Sequence, residues 1–231
     1  MKERGVIFNA EMVQAILDGR KTQTRRIIKD CSVGRDPISK FIQIGKKFIG
    51  CYPEDVPELI RECCPFGQPG DRIWVRETFQ GPLFNYDQMD EYSKDSSKFE
   101  KPEFCIYRAD GKPAPEYYDA DDNLQCRWRP SIHMPRWASR ISLEITAVRV
   151  ERLNSISEEN AAAEGVGSDV WFAAKGVPEE EWTSLGEHGA ERASHINTFA
   201  TLWESIYGTS SWQANPWVWV IEFRRVDGGA A

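Results

Sequence analysis

The run Trp217-Val218-Trp219-Val220-Ile221-Glu222-Phe223 constrains the fold more than any other part of the chain. Strand side chains alternate between faces, so Trp217, Trp219, Ile221 and Phe223 share one face, and Val218, Val220 and Glu222 the other. A strand apolar on nearly both faces belongs inside a sheet. Asn215-Pro216 opens this strand, which is expected to run from Trp217 to Arg225. Ile141 to Val150 predicts a second strand of a different kind. Ile141, Leu143 and Ile145 point one way, Ser142, Glu144 and Thr146 the other, and Val148 and Val150 resume the inward set after Ala147, the mark of a half-buried antiparallel strand.

Helical periodicity appears in three places. Ala10 to Leu17 carries Met12, Val13, Ile16 and Leu17 on one stripe, with Asn9 as N-cap and Gly19 as stop. Ser157 caps a short helix over Glu158 to Ala163. Glu191 to Tyr207 gives the longest helix, with Ile196, Phe199, Ala200, Trp203 and Ile206 on its apolar stripe and Gly208 at its end. Val6-Ile7-Phe8 suggests a first strand. A turn at Pro65-Phe66-Gly67-Gln68-Pro69-Gly70 introduces another over Asp71 to Phe79, with Ile73 and Val75 on one face and Trp74, Arg76 and Thr78 on the other. These elements describe a mixed α+β chain, mainly antiparallel.

A length of 231 residues, 41% hydrophobic, suffices for a substantial core and favours one domain with insertions, over residues 1–226. The insertions are expected at about 80–123 and 167–189, where Pro, Asp, Lys, Tyr, Ser and Glu dominate. Trp171, Phe172 and Trp182 in the second are packing anchors or part of a lid. Residues 227–231 form a small flexible tail. No apolar run is long enough to span a bilayer and the amino terminus lacks a signal-peptide core, so a cytoplasmic location without membrane partners is expected. The net charge of -7 excludes a general nucleic-acid coat and leaves room for a local basic patch.

Six cysteines, at 31, 51, 63, 64, 105 and 126, form no regular framework and read as free thiols. Cys31, Cys51, Cys63 and Cys64 match no standard zinc spacing, and His133, His188 and His195 stand apart from one another. Neither a metal nor a cofactor is expected.

The chemically dense segment Gly19-Arg20-Lys21-Thr22-Gln23-Thr24-Arg25-Arg26 follows the first helix. Alternation places Lys21, Gln23 and Arg25 on one face of a strand and Thr22, Thr24 and Arg26 on the other. A twisted or bulged first residue brings Lys21 round beside Thr24. A desolvated lysine beside a threonine hydroxyl can act as its base, provided a carboxylate holds the amine. An exposed basic edge strand is the competing reading of the same spacing. Glu164 stands at the C-terminal end of the short helix, where a carboxylate opposes the helix dipole, and this suggests another partner for it, Lys21.

The pattern Gly-x-Lys-x-x-(Glu or Thr)-x-Arg, carried by Gly19, Lys21, Thr24 and Arg26, resembles the signature of the ASCH domain family, whose fold is similar to the PUA RNA-binding barrel. Threonine in place of the commoner glutamate is similar to the small bacterial ASCH enzymes that hydrolyse N(4)-acetylcytidine. The resemblance implies a partly closed barrel with two or three flanking helices, and Lys21, Thr24 and Glu164 as catalytic residues. The segment from Ser157 to Gly165 and the closing run Trp217 to Phe223 also resemble that family, as does the Gly-Asp start of the strand at Asp71. The middle of the chain resembles it poorly, and a prophage origin would fit this longer form.

Arg127-Trp128-Arg129 and Arg136-Trp137, with Arg140 beyond, interleave guanidiniums with indoles. Such a mixture can stack on a base and pair with a phosphate. As an alternative, Trp128 and Trp137 cap the core while the arginines neutralise acidic neighbours. Candidate substrate-binding residues are therefore Arg26, Arg76, Trp128, Arg129, Arg136 and Trp137. Arg26, Arg76 or a backbone amide would stabilise an oxyanion. The expected partner is a modified nucleoside or single-stranded RNA. Hydrolysis of an exocyclic amide is the leading expectation; a non-catalytic module that binds RNA or a modified base, and a ribonuclease, are the alternatives.

Overall fold

The computed structural model describes residues 1–29, 31–33, 41–44, 47–50, 64–118, 123–167 and 194–226. In chain order the regular elements are β1 (Glu3–Ile7), α1 (Ala10–Leu17), β2 (Gln23–Ile27), β3 (Cys31–Val33), β4 (Phe41–Ile44), β5 (Lys47–Gly50), β6 (Arg72–Arg76), β7 (Phe79–Gln80), α2 (Met89–Lys94), β8 (Ile106–Tyr107), β9 (Glu116–Tyr118), β10 (Leu124–Cys126), β11 (Ser142–Arg152), α3 (Glu158–Ala163), α4 (His195–Tyr207) and β12 (Trp217–Val226). The fold is mixed α+β, with mainly antiparallel pairing and few helices. No described helix is long and apolar enough to cross a membrane.

The chain divides into two compact units, one of Met1–Leu17, Arg72–Glu144 and Arg225–Ala231, the other of Asp18–Asp71 and Ile145–Arg224. In the first, β1 pairs with β6 in parallel, Gly5 opposite Trp74, and β6 pairs antiparallel with the start of β11. This parallel pair stands beside pairing that is mainly antiparallel, as expected. The chain between β1 and β6, which includes α1 and β2 to β5, is long enough for the connection that parallel strands require. Val6, Val13, Ile73, Val75 and Leu143 are buried beneath this sheet.

Two caps behave as their sequence dictates. Asn9 Oδ1 accepts the Met12 N–H at 2.8 Å, and Gly19, at φ 77°, takes the left-handed conformation that ends a helix at little steric cost.

The strand expected over 71–79 is interrupted. β6 stops at Arg76, the Glu77 N–H donates to Met134 Sδ at 3.2 Å, and pairing resumes only at β7, which is antiparallel to β8. Phe79 also exchanges backbone hydrogen bonds with Arg129, at 3.2 and 2.8 Å. Across the expected insertion at 80–123, Phe84, Tyr92, Phe99 and Phe104 form a chain of ring contacts, so the aromatic residues anchor it. The second expected insertion lies, but for Gly167, outside the described residues, as do Trp171, Phe172, Trp182 and the tail at 227–231.

In the second unit the remainder of β11, β12 and β2 form one sheet, with β12 antiparallel to β2. β3, β4 and β5 form a separate antiparallel meander. Val218, Val220 and Ile221 are fully buried and Trp219 and Phe223 nearly so, which bears out a strand apolar on nearly both faces inside the sheet. Ser157 Oγ accepts the Asn160 N–H at 3.2 Å and caps α3. Ser194 caps α4 in the same way, so the long helix begins at His195; residues 191–193 lie outside the described set. α4 packs on α3. This packing holds the helix whose end carries Glu164.

Candidate functional site: a buried Lys-Glu-Arg cluster

Residues 21 to 25 keep the plain alternation of a strand. Lys21 forms an isolated β-bridge with Glu164, and Thr22 ties the segment on both sides, its N–H donating to Ala163 O and its carbonyl accepting from the Phe223 N–H, each at 2.9 Å. The odd-numbered side chains all reach toward α3. Lys21 Nζ donates to Glu164 Oε2 at 2.7 Å and to the Glu164 carbonyl at 2.8 Å. Gln23 Nε2 donates to Asn160 Oδ1 at 3.0 Å, and Arg25 Nη1 to Glu164 Oε1 at 3.0 Å. One carboxylate thus receives an amine on one oxygen and a guanidinium on the other.

Both side chains of the lysine–glutamate pair are sealed, at 0% and 2% exposure. Burial pulls the Lys21 amine below its ordinary value; the Glu164 carboxylate opposes that pull, while the charges of Arg26 and Arg25 reinforce it. Arg25 is itself fully buried. It also bonds Gln23 Oε1 at 3.1 Å, approaches Glu151 Oε2 at 3.4 Å, and lies over the Phe199 ring at 5.9 Å. Its Nε is buried without an acceptor among the described residues. Further out, Arg149 contacts Gln23 and Asn160 at 3.4 and 3.3 Å and pairs with Glu151 and Glu222. The network therefore grades from a dry centre at Lys21 to a half-exposed rim at Glu222.

Thr24 is buried, at 1% exposure, and its backbone stands opposite Ile221. It lies on the strand between Gln23 and Arg25, so alternation turns its side chain to the other face. Among the described residues no hydrogen bond joins Thr24 to Lys21 or Glu164. Arg26 is half-buried on the same strand, with its backbone opposite Trp219. The expected pairing of Lys21 with Glu164 is thus present, and the twist that would bring Lys21 to Thr24 is not.

The other candidates belong to the first unit. Gly5 makes room for the Trp74 indole: a Cβ there would sit 2.6 Å from Trp74 Cζ2. Arg76 and Arg136 lie over the same indole at 5.5 and 5.9 Å. Arg136 is held by both oxygens of Glu3, at 2.9 and 2.8 Å, and Arg76 donates to the Ile132 carbonyl. Arg129 lies over Phe79 at 5.3 Å and donates to the Gly81 carbonyl at 3.2 Å. Trp137 packs against a core of Phe79, Tyr107, Met134 and Ala138, while Trp128 is half-buried. Part of the Arg-Trp segment therefore serves packing, as the alternative reading held.

Glu77 is sealed beside this core, its carboxylate bonded by Arg140 at 3.0 and 3.1 Å. Burial raises its pKa against the pull of that guanidinium. Arg140 also pairs with Asp110 at 2.7 Å and covers the Tyr107 ring at 3.9 Å.

Sequence reasoning did not single out Arg25, Gln23, Asn160, Arg149 or Trp74. The signal for Arg25 and Gln23 was their shared parity with Lys21. Trp74 had the parity of Arg76. Among the described residues no group of three or more His, Cys, Asp or Glu side chains is placed to hold a metal ion. Cys64, Cys105 and Cys126 are free thiols, and burial pushes Cys105 up to about 11. Comparison with models of known families, with curated proteins and with solved structures found no match.

Proposed function

We propose that this chain is an ASCH-like hydrolase, built on a partly closed PUA-like barrel, that cleaves an exocyclic amide on a modified nucleoside such as N(4)-acetylcytidine. The observation that carries the reading is the contact between Lys21 and Glu164. A dry ion pair recruited from distant parts of a chain is costly to maintain and contributes little net stability. A perturbed amine in such a setting suits proton transfer.

In this mechanism Lys21 accepts the proton of the attacking hydroxyl, and Glu164 fixes the amine's position. Attack on the amide carbonyl gives a tetrahedral adduct. Collapse breaks the C–N bond, and the proton held at Lys21 passes to the exocyclic nitrogen as the amine leaves. Thr24 supplies the hydroxyl by resemblance, which requires its side chain to turn from the opposite face of the strand to Lys21; an acyl-threonine then forms and water, deprotonated by Lys21, releases the acid. A substrate-binding role for Arg26 and a cytoplasmic setting belong to the same proposal.

The test is acetate release from N(4)-acetylcytidine by the wild-type protein, T24S and T24V. Turnover by wild type and T24S but not T24V supports attack by Thr24. Equal turnover in all three assigns the attack to water activated by Lys21. No turnover of this or related N(4)-acylcytidines by the wild type removes the proposal.

A second reading, a module that binds RNA or a modified base without chemistry, is favoured by the half-buried Trp74 indole with Arg76 and Arg136 over it, a surface suited to base stacking once Arg136 exchanges Glu3 for a phosphate. RNA affinity that falls steeply with salt, with no product formed, would select it.

A further inference from the structure

We propose that Arg25 is the permanent counter-ion of Glu164, and that its charge leaves Lys21 free to stand as the neutral amine a base requires. The argument starts from how the carboxylate is shared. Lys21 takes Oε2 and Arg25 takes Oε1, at 2.7 and 3.0 Å, and both side chains are fully buried. A guanidinium keeps its proton at any accessible pH, whereas an amine can give its proton up. In a dry site the arrangement of lowest charge is favoured. For Lys21, Glu164 and Arg25 that arrangement is a neutral amine, a carboxylate and a guanidinium. Without Arg25, the least charged ionic arrangement would instead need Lys21 as ammonium to balance Glu164.

The charges around Lys21 are accounted for on each element. Its own segment contributes Arg25 and Arg26, and the end of α3 contributes Glu164. β11 supplies Glu151 against Arg25 and Arg149 against Glu151, and β12 supplies Glu222 against Arg149. Arg149 thus has acidic partners of its own. Arg25 is fixed in place by Gln23 and by the Phe199 ring, so it cannot swing away from Glu164 without breaking both contacts. Arg25 is therefore a positioning residue, acting on substrate only through Glu164 and Lys21.

The use of the neutral amine as a base rests on the hydrolase reading, but its protonation state can be read without substrate. The experiment follows the Lys21 Nζ signal by NMR against pH in full-length wild type, R25Q, R25K and E151Q. R25Q is expected to raise the Lys21 midpoint by about 1 unit or more. R25K, which retains a cation, should restore it toward wild type. E151Q, at a half-exposed position, should lower it, because Glu164 then has one competitor fewer for Arg25. An unmoved or lowered midpoint in R25Q, or an unmoved or raised one in E151Q, overturns the assignment. If R25Q does not fold, the E151Q result decides. Expected midpoint shifts in a wild type that hydrolyses no acylcytidine would sink the hydrolase reading and leave the counter-ion assignment standing.

Discussion

Lys21 Nζ lies 2.7 Å from Glu164 Oε2 across 143 positions of sequence, with both side chains buried. Everything proposed for the second unit depends on that contact. Removing Glu164 leaves Arg25 and Lys21 without their shared acceptor, whereas removing Lys21 leaves Glu164 its guanidinium, and that asymmetry is diagnostic.

E164A should destabilise the protein by about 3–5 kcal/mol, because the buried Arg25 guanidinium loses its carboxylate and the Lys21 amine its acceptor. K21M should cost less, since Arg25 still satisfies Glu164. Urea unfolding of both variants checks the order. A K21M variant less stable than E164A would show that Arg25 does not hold the carboxylate.

The pH dependence of stability carries a sign. Burial depresses the folded Lys21 amine below 10.5, so between the two values the unfolded chain binds a proton that the folded chain does not. Stability contributed by Lys21 then rises with pH through that window. The unfolding free energy of wild type minus that of K21M should increase as pH rises toward 10.5. A difference that falls over that range would contradict the depressed amine.

In the first unit, Gly5 is required by Trp74. G5A would push a Cβ to 2.6 Å from the indole, an overpacking expected to cost about 1–3 kcal/mol. Pairing G5A with W74L should recover part of the loss. Denaturant midpoints of the three variants test this, and a neutral G5A would mean that the indole can move aside.

Ser157 caps the helix that ends at Glu164. S157A should cost about 1 kcal/mol, with S157D retaining most of the stability. The loss should extend to turnover of N(4)-acetylcytidine, because α3 carries both Asn160 and Glu164. Unchanged turnover in a destabilised S157A would show that the site does not depend on the cap.

What the sequence made legible follows from how local each signal is. The closing strand could be read from alternation alone, as could the caps at Asn9, Ser157 and Gly208. Glu164 was legible because a carboxylate at a helix C-terminus opposes the dipole and asks for a cation. Arg25 was not singled out, although alternation put it beside Lys21, because an unpaired strand residue does not disclose what its face meets. The parallel partner of β1 was not legible either, since pairing direction is set by a crossover and not by the strand's own pattern. Arg136 was read as a ligand for phosphate, and its tie to Glu3 spans 133 positions, beyond any local rule.

The most direct test of the central claim compares N(4)-acetylcytidine hydrolysis by the wild type, K21M and E164Q, with the folding of each variant verified by circular dichroism. The account predicts measurable turnover by wild type and a loss of at least about 100-fold in each folded variant, the scale of a missing general base. Folded K21M that hydrolyses the substrate as fast as wild type would contradict it.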